Sequence, residues 1–383
     1  MRDVAIVGVG YSGFRSITPD LSYKELMYEA AAKAYEDAGV DPRQDVESFV
    51  SVAEDFHEGT SIFDEYVPDQ LGAVLKPVHT ISGEAIHGFI AAYMQVLTGA
   101  MDIVAVEAHS KASNILTLPH VLAYALDPVF NRPLGANPLF IAGMEMNRYL
   151  FQTGTTLEQC AQVVVKNRGN ALLNPSAAYG ALIDIGDILD SEPVAEPLKR
   201  LEVASHADGA VVMVLASKEV AEGLTDLPIW IRGVGWANDS YSLETRDWVG
   251  AYYASLATQM AYSMAGITNP LQEIDFAEID DTFAYKELQH LEAAGLCRPG
   301  EAGLLTEEGV TALDGEFPVN PSGGSLGVGH LLDGSGLARL LEVALQLREE
   351  AGQRQIPEVE TGLALAWRGL PTTSGAAVVL SNY

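Results

Sequence analysis

Basic residues are scarce in this chain: 22 Lys and Arg stand against 52 Asp and Glu over 383 residues, a formal charge of −30. Such a surface repels phosphate backbones, and no Lys/Arg cluster offers a local exception, which argues against a nucleic-acid partner. The excess acid reads as a solubility device. Cysteine is scarcer still. Cys160 and Cys297 are the two present, neither in a Cys-x-x-Cys or Cys/His spacing, so neither structural zinc, nor any other metal site, nor a disulfide framework is expected. Long apolar runs are missing too. No stretch of about 18 apolar residues suggests a membrane span, and MRDVAIVGVG lacks a basic, then apolar, then small-residue leader. A soluble, cytoplasmic protein is expected. What the chain does have is core material, with 48% hydrophobic against 19% charged residues. That balance sets aside disorder, collagen and coiled coil, and the length suggests two or three folding units.

Residues 3–10 read as a buried strand running into a Gly-rich turn. Gly8-Val9-Gly10 lacks both the third glycine and the immediate helix of a dinucleotide fingerprint. A helix over 23–38 closes at Gly39, and a strand follows at 48–53. Ser82-Gly83 then opens a helix to Thr98, and Gly99 ends it before a strand at 102–108. Strands alternating with helices predict a layered, mostly parallel α/β sheet. The same order returns later. IWIRGVGWA (229–237) echoes VAIVGVG, 256–281 echoes 29–54, 335–347 echoes the Ser-Gly helix, and TGLALAW (361–367) echoes DIVAVEA. One repeat of this length is a duplicated domain, whereas solenoid units run about 20–50 residues. The expected division is an N-terminal half at 1–111 and 196–225, a loop or cap excursion at 112–195, and a C-terminal half at 226–383. The excursion is richer in Pro and Asn, with helical pieces at 145–154 and 156–173, and reads as a cap over a site or a hold for a partner.

Several strings carry a resemblance. GEFPVNPSGGSLGVGHLLDGSG at 315–336 resembles the segment where thiolases of the sterol-carrier-protein/archaeal branch read VNPSGG and then GHPxGATG. FAEIDDTFAYKELQHLEAAGLCRPGEAG at 276–303 is similar to that branch's His-Asp-x-Phe segment. DPVFNRPLG at 127–135, KNRGNALLNP at 166–175 and ASHADGAVVMVLAS at 204–217 match as well. The resemblance runs over essentially the whole chain and implies a thiolase fold, a duplicated five-layered α-β-α-β-α core. It also implies coenzyme A as part of an acyl-CoA substrate, with no covalently bound cofactor. A homodimer and a small OB-fold/zinc-ribbon partner protein are expected on the same ground.

In thiolases a Cys at a helix N-terminus is acylated, and backbone amides with a His or Asn hold the enolate oxygen. Here the Cys-Ala-Ser-Gly elbow falls on Thr80-Ile81-Ser82-Gly83. Asp280 heads the His-Asp-x-Phe segment, and the late family Cys is missing, because the tail reads AWRGLPTTSGAAVVL. These departures argue against an acyl-cysteine ping-pong reaction. His330 survives, followed by Leu331 where the family has Pro and by Asp333-Gly334-Ser335-Gly336 where it has GATG. The steroid side-chain aldolases of the superfamily also lack the Cys and cleave β-hydroxyacyl-CoA by a retro-aldol step. They carry tyrosines at the positions of Asp280 and His330, and a Pro-Thr-Ser-Gly tail close to Pro371–Gly375.

The resemblance therefore points to His330, Asp280 and Thr80 as the candidate catalytic positions, with Asp280 facing His330 across one pocket as an acid/base pair. Ser82, Gly83, Phe283, Tyr285, Gly324, Gly329 and Gly375 are the candidate substrate-binding residues. Plainer readings stand beside these. Phe283 and Tyr285 suit helix-start packing, His87 and Tyr93 internal contacts or a subunit seam, and Glu84 a first-turn carboxylate. His206 and Asp208 precede a strand at an Asp-Gly turn signal. Retro-aldol cleavage of a β-hydroxyacyl-CoA is the leading expectation. A silent acyl-CoA-binding or scaffolding subunit is the second, and an acetyl-CoA acyltransferase the third.

Overall fold

Residues 2–240 and 242–383 are described by a computed structural model. Alternating apolar positions make β1 (Val4–Tyr11) two-faced, with Ala5 and Val7 in one core and Val4 and Ile6 in another. The further strands are β2 (Ser48–Val52), β3 (Val78–Ile81), β4 (Ile103–Lys111), the short pair β5 (Pro193–Ala195) and β6 (Leu198–Lys199), and β7 (Asp208–Ser217). The second half adds β8 (Ile229–Asn238), β9 (Phe276–Ile279), β10 (Thr361–Trp367) and β11 (Ser374–Ser381). Apart from β5 and β6, they form one sheet in the order β3-β2-β4-β7-β1-β8-β11-β10-β9.

That order is nearly symmetric about the β1–β8 junction, where Ala5 pairs with Trp230 and Ile6 with Ile229. Each repeat predicted from the sequence occupies matching places on the two sides. A lone parallel bridge between Ala277 and Val319 stands where β3 has its partner in the first half. Direction departs from the expectation. Only β2–β3, β2–β4 and β9–β10 run parallel among the described pairs; β1–β7, β1–β8, β4–β7, β8–β11 and β10–β11 are antiparallel. The reason is topological. In each half the last strand inserts antiparallel between the first strand and the parallel set.

Helix Tyr23–Ala38 covers the outer face of the first half, capped by Ser22 with Glu25 and closed by left-handed Gly39. Helices Ala85–Leu97 and Ser335–Leu347 lie in the middle, in one core with the inner faces of both halves. Helices Tyr252–Ala265 and Ala284–Ala293 cover the other outer face. The layers thus run helix, sheet, helix, sheet, helix. Helices Pro138–Thr153 and Leu157–Ala171 pack into that last core. The repeated Gly-Val-Gly has a packing cause: a Cβ at Gly10 would sit 2.2 Å from the Ala30 carbonyl, and one at Gly235 2.0 Å from that of Ala257. Glycine lets an alanine-rich helix lie directly on the strand. Among the described residues no helix is long and apolar enough to cross a membrane.

Candidate active site

Three histidines come together from distant parts of the chain. Strand β7 is preceded by the segment 203–207, whose backbone bridges to that of His330: the His330 amide donates to Ser205 O (2.8 Å), and the Ala207 amide donates to His330 O (3.0 Å). The His206 and His330 rings therefore sit edge to face, 5.3 Å apart. His57 arrives on the short helix Asp55–Glu58. All three line a cavity of about 400 Å³ whose remaining wall is largely apolar, including Leu118, Leu139, Val203, Phe283 and Leu370. A neighbouring cavity of about 430 Å³ shares His57, Asp333 and Arg368 and is walled by Glu54, Asn238, Asp239, Ser240, Thr373 and Ser374. The first cavity is largely hydrocarbon and the second mixes polar groups with Phe56, Leu122, Leu370 and Pro371, a combination that suits a small, oriented organic ligand.

The histidines differ in charge state for identifiable reasons. Burial works against a charged His57, but the Asp333 hydrogen bond and charge, with Glu54 and Glu58, outweigh it and raise its pKa. His57 Nδ1 lies 3.1 Å from both Asp333 oxygens, while Nε2 has no partner. Asp333 is itself fixed by accepting the Glu54 amide at 2.8 Å. This is an Asp-oriented imidazole with one nitrogen free, the arrangement of a general base. His330 is the opposite case. Burial first, then the positive potential of His206, drives it down to about 3. Its Nδ1 accepts the Leu332 amide at 3.2 Å, so the neutral ring carries its proton on Nε2 and acts as a donor. His206 falls to about 4, again mainly through burial.

The structure brings only part of the expected set to this cavity. His330 and Phe283 are in its wall. Asp280 is fully buried, and its carboxylate lies 2.8 Å from Arg339 Nη2. Burial pushes Asp280 up, but Arg339 outweighs it and holds it low. Asp280 lies in the wall of neither cavity and neutralises a buried guanidinium, while its charge still acts on His330, opposing the fall of that ring's pKa. Thr80 lies on edge strand β3 with a buried, unpartnered hydroxyl, also outside both walls. Ser82 donates to Glu54 at 2.7 Å, behind the polar cavity. Gly83 has a φ of +148° beside His87.

Tyr285 is corrected from pocket lining to core, its hydroxyl donating to Glu145 at 3.0 Å. Gly324 and Gly329 border a separate void of about 30 Å³. At Gly324 a Cβ would meet the Asp281 carboxylate at 2.1 Å, which is there accepting the Ser325 amide at 2.6 Å and the Leu326 amide at 3.1 Å. Gly375 lies in β11, where a Cβ would come 2.7 Å from the Tyr253 ring. These glycines serve close packing. Sequence reasoning missed His57, Arg200 and Arg368 and gave His206 only a turn. Asp333 was visible as a departure from GATG, but nothing local marked His57 as its partner, 276 residues away.

No thiol lines either cavity. Cys160 is fully buried, its thiol pushed far up mainly by burial, and Cys297 is pushed up to about 12 by the same cause. The fold and site together define a duplicated five-layer α/β protein with histidines and no cysteine in the walls of these two cavities. The Thiolase C-terminal domain-like family matches residues 235–382. Acetyl-CoA acetyltransferase of Methanothermobacter thermautotrophicus is 31% identical over 387 residues, covering 99% of this chain and 99% of that protein. The 17-hydroxy-3-oxo-4-pregnene-20-carboxyl-CoA lyase of Mycobacterium tuberculosis is 29% identical over 385 residues, covering 96% of this chain and 97% of that one. Among solved structures, the Ltp2-ChsH2(DUF35) aldolase superposes with a TM-score of 0.85 at 26% identity, over 99% of this chain and 98% of its own. This chain belongs to the thiolase superfamily.

Proposed function

We propose that this chain is a carbon–carbon lyase that cleaves a β-hydroxyacyl-CoA by a retro-aldol step, without a covalent acyl-enzyme. The carrying observation is that the cavity wall holds an Asp333-backed His57 and no thiol. His57 Nε2 takes the proton of the β-hydroxyl as the Cα–Cβ bond breaks, releasing a carbonyl compound and a thioester enolate. The His330 Nε2–H donates to the enolate oxygen, where charge develops. The proton held by His57 then returns to the α-carbon, so no redox partner and no free coenzyme A are consumed. This reading revises the expected roles: His57 replaces His330 as base, and His330 becomes the donor.

The lyase and aldolase relatives support this chemistry, while the acetyltransferase relative keeps thiolysis as the rival. A homodimer and a small OB-fold partner belong to the same proposal, the name of the aldolase neighbour being in keeping with a two-protein assembly. The test is mass-spectrometric product analysis with a panel of β-hydroxyacyl-CoA and β-ketoacyl-CoA thioesters, in wild type, His57→Ala and His330→Ala. Cleavage to a shorter CoA ester plus a carbonyl compound, lost in both variants, is the expected result. Ketoacyl cleavage that requires free coenzyme A would replace the lyase by a thiolase. Absence of any turnover would make the chain a silent subunit.

A further inference from the structure

His57 rides on a helix that cannot hold itself in place. Asp55–Glu58 is four residues long and contributes no buried residue, and a single turn has no stability of its own. Its anchors are side chains at its own end of the cavity. One is the His57–Asp333 pair. A second is its N-cap Glu54, bonded to Asp333, Ser82 and Arg368, and a third is Glu58, whose Oε1 forms an ion pair with His109 Nε2 at 3.3 Å without an aligned hydrogen bond. His109 is on β4, its side chain wholly buried. Its Nδ1 lies 2.9 Å from Glu107 Oε1, and Glu107 is in turn fixed by the Ser51 hydroxyl at 2.8 Å. Tyr23 (5.5 Å, 27°) and Phe63 (5.3 Å, 23°) pack against the ring and against each other, their own centroids 5.5 Å apart. Burial opposes a charged His109, but the charges of Glu107 and Glu58 outweigh it and raise its pKa well above the ordinary value, so this is a buried imidazolium held by two anions.

The same residue touches the other half of the pair. The turn Leu332–Gly334 carrying Asp333 lies against β4, close enough that a Cβ on Gly334 would stand 3.4 Å from the His109 carbonyl oxygen. We propose that His109 is a positioning residue: through Glu58 it ties the His57 helix to β4, and so keeps the His57 ring against Asp333 with Nε2 free. Its effect on catalysis rests on the lyase reading; its effect on the His57–Asp333 geometry does not.

The test uses the full-length protein and Glu58→Gln, which removes the anion beside His109 while keeping its shape. His109→Gln, made alongside, leaves Glu107 buried without its cation and risks misfolding. In wild type, proton NMR should show a protected Nδ1–H of His57 held by Asp333. In Glu58→Gln that proton should exchange about tenfold faster or vanish, with far-UV circular dichroism unchanged. On the thioester turned over by wild type, kcat should fall about tenfold or more with KM within about twofold, since a misplaced base slows chemistry before it weakens binding. A His57 signal unchanged in Glu58→Gln overturns the bracing. If wild type turns over no thioester, the lyase reading fails, and the NMR signal alone upholds or overturns the role of His109.

Discussion

Replacing Arg339 by Met isolates the charge balance on which the core beside the cavity depends. The guanidinium is buried, 2.8 Å from Asp280 and 3.8 Å from Asp281, and donates to Ser325 at 2.8 Å. Glu84 and Glu278 are also close, but burial has raised both to about 8, so they are largely neutral near pH 7. Asp280 is held ionised by Arg339 against its burial. In Arg339→Met its carboxyl must take up a proton to stay buried. From an ordinary value of 3.8, that protonation costs about 1.4 kcal/mol per pH unit, or about 4 kcal/mol at pH 7. The figure agrees with the roughly 3–5 kcal/mol of other broken buried pairs.

The sign follows from the proton count. In wild type the folded pKa is depressed, so the stabilisation is complete above 3.8 and lost as pH falls through the lowered value. In the variant the native state holds the extra proton, so its stability drops as pH rises. Urea unfolding of both proteins at several pH values measures the difference. A deficit of about 4 kcal/mol at pH 7 should shrink to about 2 kcal/mol at pH 5. Adding Asp280→Asn should recover part of the loss, because Asp281, which burial raises to about 6 against the pull of Arg339, is then the one of the two aspartates still deprived of its cation. A deficit under about 1 kcal/mol at pH 7, or one that does not change with pH, would refute the reasoning.

Asp333→Asn should lower the His57 pKa, which burial already opposes and Asp333 sustains; the rising limb of the pH–rate profile should move to lower pH with a reduced plateau, and an unmoved limb would remove His57 as the base. Gly10→Ala places a Cβ against the Ala30 carbonyl and should cost about 1–3 kcal/mol in denaturant unfolding; an unchanged midpoint would mean that strand and helix part easily. The double variant Cys160→Ala, Cys297→Ala should keep catalytic turnover within about twofold of wild type, and loss of turnover in a folded protein would restore a thiol mechanism.

The residue order alone carried the elements and their duplication. Helix 23–38 with its Gly39 stop, helix 335–347 and the strand 361–367 are local matters of capping and apolar period, and each half repeats them. His330 was legible because its Gly-rich surroundings resemble a known segment. Strand direction was not legible: β7 and β11 insert antiparallel, a choice made by edge pairing between segments far apart in the chain. Nor were the partners of buried charges. Asp280 had an equal claim on His330 and on any buried cation, and only packing brought Arg339 to it at 2.8 Å. His57, one of eight histidines, lies on a turn too short to carry a pattern. Its partner Asp333 is brought beside it only by the fold. Local propensity acts through neighbours in the chain, whereas pKa, tautomer and pairing depend on neighbours in space.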